Sequence, residues 1–124
     1  MNEPTHLQVG KKYTKVWGST QVLFRNDSVE VHLIHGKKGG FSSRHNHTHR
    51  VNVFYVLSGI INVIVYRENN LDITTLNCGE STEVNCLVDH RFEVVQDCVA
   101  LEVYYLNPID SMDIVRKDVG GIGD

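Results

Sequence analysis

The sequence predicts an all-β fold, either a sandwich or a barrel. Short segments rich in β-branched and aromatic residues recur about every 8 to 12 residues, and turn-forming residues separate them. No convincing helical period appears before residue 108. Strands are therefore predicted at residues 13–17, 20–25, 29–35, 52–57, 60–66, 71–76, 82–85, 91–95 and 99–106.

In two of these segments the sequence also indicates which faces of the strand are exposed and which are covered. In segment 29–35 the first five residues alternate between apolar and polar, which places His32 on the polar and exposed side of the strand. His35 follows at the edge of the next loop. Segment 60–66 has apolar residues on both faces, so the strand has to be covered on both sides. That requirement favours a homodimer.

The bulk composition excludes several classes of protein. A length of 124 residues suits one domain, and a net charge of -3 argues against a nucleic-acid partner. No apolar run is long enough to cross a membrane, and residues 1–18 lack the apolar core of a signal peptide. A cytoplasmic location is therefore expected. The three cysteines, Cys78, Cys86 and Cys98, show no metal-binding spacing and are expected to be free thiols.

The chemistry is concentrated in residues 39–59. Three histidines, His45, His47 and His49, are spaced two apart, and an apolar run follows directly. On an extended chain, side chains at this spacing project to one side. The pattern predicts a metal site at the end of one strand, with the next strand starting immediately behind it.

This segment resembles the first sequence motif of the cupins, a glycine followed by an HxH pair, a glutamate and a second glycine. Gly39, His45, His47 and Gly59 occupy the motif positions, and Asn52 stands where the glutamate is expected. The second cupin motif is recognisable but degraded between residues 79 and 94. Its glycine, proline, inner glycine, histidine and asparagine positions are held by Gly79, Asn85, Leu87, His90 and Val94.

Among cupins, the sequence most resembles the cupin domain of type II mannose-6-phosphate isomerases. That domain also occurs at the C-terminus of mannose-1-phosphate guanylyltransferases. Val16-Trp17-Gly18, Ser43, Arg50 and the run 113–116 carry this resemblance, and it extends over about residues 15–118. The resemblance implies a double-stranded β-helix, or jelly-roll barrel, and a homodimer. We expect a single domain over residues 1–124, with a core at 13–106 and a tail at 107–124 that contains a helical turn near 111–115.

The resemblance also implies that His90 completes the site. The expected ligands are then His45, His47, His90 and Asn52, and three neutral imidazoles suit Zn, Fe, Ni, Mn or Co. The amide of Asn52 adds no charge, so metal binding is expected to be weak or absent, and the amide would alternatively bind a substrate hydroxyl. His49 is expected at the rim of the site rather than among the ligands.

Several other side chains are candidates for roles around the site. Arg50, Phe54 and Tyr55 are the candidate substrate-binding residues, although a surface ion pair would equally explain Arg50. Phe54 is also expected in the core, as are Trp17 and Phe92, whereas Tyr55 would line a pocket or an interface, as would Tyr104. The candidate bases are His49 and, if its side chain turns inward, Glu93.

Three functions are consistent with these residues. The first is a metal-dependent enzyme acting on a sugar phosphate or nucleotide sugar, of the isomerase type. The second is a cupin that binds a small polar ligand without catalysis. The third is an iron-dependent, dioxygenase-type cupin with iron on three histidines. The substrate itself is not specified by the sequence.

Overall fold

The computed structural model describes residues 7–106, 117 and 120–122. Every regular element in these ranges is a β-strand, and no described helix is long and apolar enough to cross a membrane. The seven strands are β1 (Lys12–Lys15), β2 (Gly18–Arg25), β3 (Val29–Gly36), β4 (Arg50–Tyr66), β5 (Leu71–Leu76), β6 (Ser81–Val84) and β7 (His90–Leu106). The predicted helical turn at 111–115 and the tail that contains it lie outside the described residues.

All pairings between strands are antiparallel, in the order β1-β2-β3-β7-β4-β5, and β6 also pairs with β4. The two long strands β4 and β7 pair along their whole length. The first half of β4 pairs with β6 and its second half with β5, while the second half of β7 pairs with β3. This arrangement is the jelly roll, and the predicted all-β class is confirmed.

The long strands bend where the sequence predicts breaks. Residues 52–57 and 60–66 are predicted as separate strands, but they form one strand with register shifts between Val56 and Ile61. Gly59 lies at this bend with φ of 83°, and a Cβ there would come within 2.1 Å of the Asp97 carbonyl oxygen. A glycine is therefore required for the close approach of the two strands. The predicted strands 91–95 and 99–106 merge in the same way into β7.

The core is built from the inward-facing residues of both long strands and their neighbours. Phe54, Val56, Phe92 and Trp17 are all buried, as predicted, and the Trp17 and Phe92 rings pack edge to face with centroids 4.9 Å apart. Tyr55 and Leu57 are exposed on the opposite face of β4, because successive side chains of a strand point to opposite faces. The cysteines are free, with Cys98 in the core.

Two predictions about the histidines are wrong. His32 is buried rather than exposed, because its face of β3, shared with Ile34, is the one that points inward. Its ring nitrogens lie within hydrogen-bonding distance of Glu30 and Thr20, so burial leaves neither unsatisfied. The segment with the HxH pair is also not a regular strand. It is an extended chain that meets β7 through isolated bridges only. His35 is exposed as expected, although it lies within β3.

Leu87 is the one non-glycine residue with positive φ among those described, at 66°, and it occupies the inner glycine position of the second motif. Its side chain is 68% exposed, so a substitution that removes the side chain loses few packing contacts. We expect Leu87→Gly to raise the free energy of unfolding by about 0.5–1 kcal/mol, because the left-handed backbone costs about 1–2 kcal/mol in any residue with a Cβ.

The matched opposite change is Gly79→Ala. Gly79 has φ of 85° and open space around its Cα, so alanine there adds strain without a clash. Urea unfolding of the two variants should shift the midpoint in opposite directions. A loss of stability in Leu87→Gly would contradict the backbone argument.

Candidate metal centre

The fold brings together three histidines from distant parts of the chain. The backbone of His45 forms two hydrogen bonds with that of His90, in which each N–H donates to the other carbonyl at 3.0 and 2.9 Å. The Leu87 N–H donates to the His47 carbonyl at 2.7 Å, which fixes the second histidine against the loop that leads into β7. The extended HxH segment is therefore held beside the first residue of β7.

The three imidazoles converge on one point. One ring nitrogen from each of His45, His47 and His90 can be chosen so that all lie within 4.8 Å of one another. The ring centroids are 4.6 Å apart for His45 and His90, 5.0 Å for His45 and His47, and 5.5 Å for His47 and His90. This spacing suits three nitrogen ligands of one cation.

Hydrogen bonds orient two of the rings for metal binding. Nδ1 of His45 lies 2.8 Å from the Ser43 carbonyl oxygen, and Nδ1 of His90 lies 2.9 Å from that of Val88. A carbonyl only accepts, so each Nδ1 carries the proton and donates it. Each Nε2 then presents a lone pair, which is the arrangement that metal-binding histidines show in proteins.

His47 differs from the other two. Its Nε2 is buried without a hydrogen-bond partner among the described residues. Its Nδ1 lies 3.3 Å from a guanidinium nitrogen of Arg50, which can only donate. An unpartnered nitrogen at the centre of a histidine cluster is costly unless a ligand satisfies it. The orphaned Nε2 is therefore an observation that fits a bound cation.

The surroundings keep the rings of His47 and His90 neutral, which is the form that binds metals. Burial, followed by the positive charge of Arg50, lowers the pKa of His47 to about 4. Burial also lowers the pKa of His90, although its bond to the Val88 carbonyl works in the opposite direction. At neutral pH neither ring carries the second proton that a metal would have to displace.

Asn52 points into the site, as its place in the motif implies. It is fully buried, and its Oδ1 lies 3.2 Å from Nε2 of His90, while its Nδ2 has no hydrogen-bond partner among the described residues. Because the His90 proton is on Nδ1, two acceptors face each other there. Either the amide turns over and Nδ2 donates to His90, or both atoms bind one cation. Ligands about 2.1 Å from a metal lie about 3.0–3.4 Å apart, so the distance fits.

A cavity of about 540 Å³ opens beside the triad and offers room for a small ligand. Its lining includes His45, His32, Glu102, Tyr104, Lys15 and Trp17. A larger cavity of about 680 Å³ is lined by residues such as Lys12 and Asp97 and by none of the triad, so its size does not connect it with the metal site.

The sequence analysis missed Glu102, whereas Tyr104 lines the cavity, which is one of the two roles expected of it. Both belong to the inward face of β7 and are buried, and the Tyr104 hydroxyl donates to Glu102 at 2.8 Å. The Tyr104 ring packs against His47, with centroids 5.1 Å apart. Strand alternation through Ala100 would have placed both inside, because residues two apart share a face. Burial raises the pKa of Glu102, and it raises that of Tyr104 further.

The candidate substrate-binding residues occupy three different environments. Arg50 lies at the edge of the site, 4.5 Å from the centroid of the Tyr104 ring and 3.7 Å from Glu30. Phe54 is buried in the core with its ring centroid 6.2 Å from that of His90, and Tyr55 faces outward. Neither aromatic residue lines the cavity beside the triad.

The two candidate bases do not face the cavity. Glu93 forms an ion pair with Arg91 at 2.6 Å, and its side chain is 36% exposed, so the inward orientation that a catalytic role required is absent. His49 is exposed and is not among the residues of the triad.

Loss of one triad imidazole should remove most metal binding. We expect His45→Ala and His90→Ala each to lower metal content by at least about tenfold after dialysis against a fixed free metal concentration, because two nitrogen ligands hold a cation poorly. Elemental analysis measures the content. His49→Ala is the matched control and should retain the wild-type amount. Unchanged occupancy in either triad variant would contradict the ligand assignment.

The low pKa of His47 should make the metal-free protein less stable in mild acid. As the pH falls, the ring of His47 is protonated near pH 6.5 in the unfolded chain but only near pH 4 in the folded protein. The free energy of unfolding should therefore fall by about 1–3 kcal/mol between pH 6.5 and pH 4 through this residue, and change no further through it below pH 4. The free energy of unfolding is measured by urea titration for wild type and His47→Gln at several pH values. The difference between the two proteins at each pH gives the contribution of His47. Parallel pH profiles would contradict it.

Comparison with known proteins identifies the family. The family described as "Mannose-6-phosphate isomerase C-terminal" matches residues 2–118. No curated protein matches the sequence. Similar solved structures include KdgF from Halomonas sp., at a TM-score of 0.63 and 15% identity over 76% of this chain and 83% of that one. A cupin-2 domain protein from Shewanella frigidimarina matches at a TM-score of 0.59 and 20% identity over 73% and 82% of the two chains.

Oxalate decarboxylase from Bacillus subtilis, a protein with Mn(II) centres, matches at a TM-score of 0.70 and 13% identity. The match covers 83% of this chain and 29% of that one. Identities this low concern the fold alone, and the fold in each case is a cupin. The family match extends over nearly the whole sequence, and the chain therefore belongs to the mannose-6-phosphate isomerase C-terminal family of cupins.

Proposed function

We propose that the protein binds a divalent transition metal at His45, His47 and His90 and acts on a small sugar phosphate or nucleotide sugar in the adjoining cavity, as an isomerase of the aldose–ketose type. The convergence of three ring nitrogens within 4.8 Å carries the proposal. The family of the chain supports the substrate class. Zn, Fe, Ni, Mn and Co all remain suitable for a site of three imidazoles.

The bound metal would act as a Lewis acid on a carbonyl or hydroxyl oxygen of the sugar. The chain supplies the rest of the environment. The bonds from His45 and His90 to backbone carbonyls hold two of the rings in place. Tyr104 and Glu102 present polar atoms to the cavity, where sugar hydroxyls would bind, and Lys15 lines the same cavity and offers positive charge to a phosphate.

Turnover of mannose-6-phosphate is the direct test. We expect the purified protein, loaded separately with each of the five metals, to form fructose-6-phosphate, which NMR resolves from the substrate. His45→Ala should lose the activity, while His49→Ala should keep it. Absence of turnover with every metal would exclude isomerisation of this substrate.

A second function is supported by one observation: neither candidate base faces the cavity, since Glu93 is paired with Arg91 and His49 is exposed. A cupin without a base would bind its ligand and release it unchanged. Thermal shift against sugar phosphates, nucleotide sugars and neutral sugars would then show stabilisation without conversion. Iron-dependent oxygen consumption would instead indicate the dioxygenase alternative.

We also propose that the protein is a cytoplasmic homodimer. The support is the outer face of β4, where the apolar side chains of Tyr55 and Leu57 are 37% and 43% exposed. Apolar side chains clustered on one exposed face are typical of an interface. Sedimentation equilibrium would test it, and a monomer at all concentrations would exclude it.

A further inference from the structure

Glu102 is a buried carboxyl group without a cationic partner. It is 7% exposed, and it lines the cavity that His45 also lines. No lysine or arginine among the described residues forms an ion pair with it. Its hydrogen-bond donor is the neutral hydroxyl of Tyr104 at 2.8 Å, and the neutral amide of Asn52 lies beside it. A carboxylate in such a place is costly, because burial removes its water and nothing opposite in charge replaces it.

The nearest histidine outside the triad does not supply the missing charge. His32 is the cross-strand neighbour of Glu102, but its Nε2 lies 2.6 Å from Glu30, so a proton on that nitrogen is shared with Glu30. Glu30 is further paired with Arg25 at 2.6 Å and lies 3.7 Å from Arg50. Glu30 therefore has its own cations, and Glu102 does not.

The triad has the complementary deficit. An imidazole binds a metal in its neutral form and the amide of Asn52 has no charge, so a divalent cation held there keeps its full charge. Arg50, at 3.3 Å from Nδ1 of His47, adds a further positive charge nearby. Concentrated positive charge in a partly buried site weakens cation binding unless an anion lies close by.

We propose that Glu102 supplies the negative charge that balances a divalent cation on His45, His47 and His90, from the β7 side of the cavity. The proposal rests on the proposed metal site and adds a residue to it from outside the sequence motif. Glu102 is thus a positioning residue, which acts on the cation through charge and does not replace a triad nitrogen. The negative charge of the unpaired carboxylate and the positive charge of the cation would then compensate each other.

The test measures binding of Mn²⁺ and Ni²⁺ alone, by isothermal titration calorimetry on metal-free protein. We expect Glu102→Gln to weaken both by about tenfold or more, the size of effect that residues behind the ligands usually have. Glu93→Gln removes an equally charged side chain from the same strand on its outer face, and should leave both affinities unchanged. Adding Asn52→Glu to Glu102→Gln returns a carboxylate to the site and should restore most of the loss.

Stability of the metal-free variants separates this role from a structural one. Because Glu102 has no cationic partner without the metal, Glu102→Gln should unfold at the same urea concentration as wild type or higher, with the Tyr104 hydroxyl donating to the new amide oxygen. Failure of this variant to fold would overturn the proposal, since it would show that the carboxyl group serves the fold itself.

The outcomes distinguish this proposal from the proposed function. If wild type binds neither metal, the metal site itself is absent and both fail. If wild type binds and Glu102→Gln binds equally well, only the role of Glu102 is overturned. A loss in Glu102→Gln that Asn52→Glu does not restore would also overturn it, because a charge effect has to respond to returned charge.

Discussion

The candidate site depends on one backbone interaction, the reciprocal hydrogen bonds between His45 and His90. The segment that contains the HxH pair has no regular strand pairing, and its other backbone contacts are a bridge between Phe41 and Glu93 and the bond from the Leu87 N–H to the His47 carbonyl. The two bonds fix it against the first residue of β7. One short bridge therefore converts a sequence separation of forty-five residues into adjacent imidazoles, and each side chain then needs only its own local partner.

The two bent strands decide where polar groups lie inside the barrel. On β4, Asn52 precedes the apolar pair Phe54 and Val56, and on β7 the apolar Ala100 precedes Glu102 and Tyr104. The strands run antiparallel, so Asn52 lies opposite Tyr104. The polar positions of both strands consequently gather at one end of the interior, next to the triad, and the apolar core fills the rest. Some of these buried polar groups satisfy one another, as Tyr104 and Glu102 do, whereas Nε2 of His47 and Nδ2 of Asn52 have no partner among the described residues.

Local sequence patterns predicted those features of the structure that are determined by residues close together in the chain. The strand class, the inward face of Asn52 and Phe54, and the grouping of His45, His47 and His90 follow from alternation and from the motif. The merging of strands across Gly59 was not predictable in the same way, because the break in pattern marks a bend only when a partner strand continues past it. The same turn-forming residues occur at a bend within one strand and at a turn between two separate strands.

The errors at His32 and the omission of Glu102 have a common cause. Both are polar residues on strands whose opposite faces are more apolar, so composition alone assigns them to solvent. Which face of a strand points inward depends on the rest of the sheet. In this protein the outer face carries apolar residues as well, and the polar face encloses the cavity. Functional interiors are the places where such reversals are expected.

The contact between Arg50 and His47 has a consequence for the order in which ligands bind. Nδ1 of His47 faces a guanidinium donor at 3.3 Å, so the ring proton belongs on Nε2. A metal on Nε2 would move that proton to Nδ1, where it would oppose Arg50, and the guanidinium would turn away. Cation and anion would then be linked: the metal would free Arg50 for a phosphate, and by reciprocity the phosphate would favour the metal.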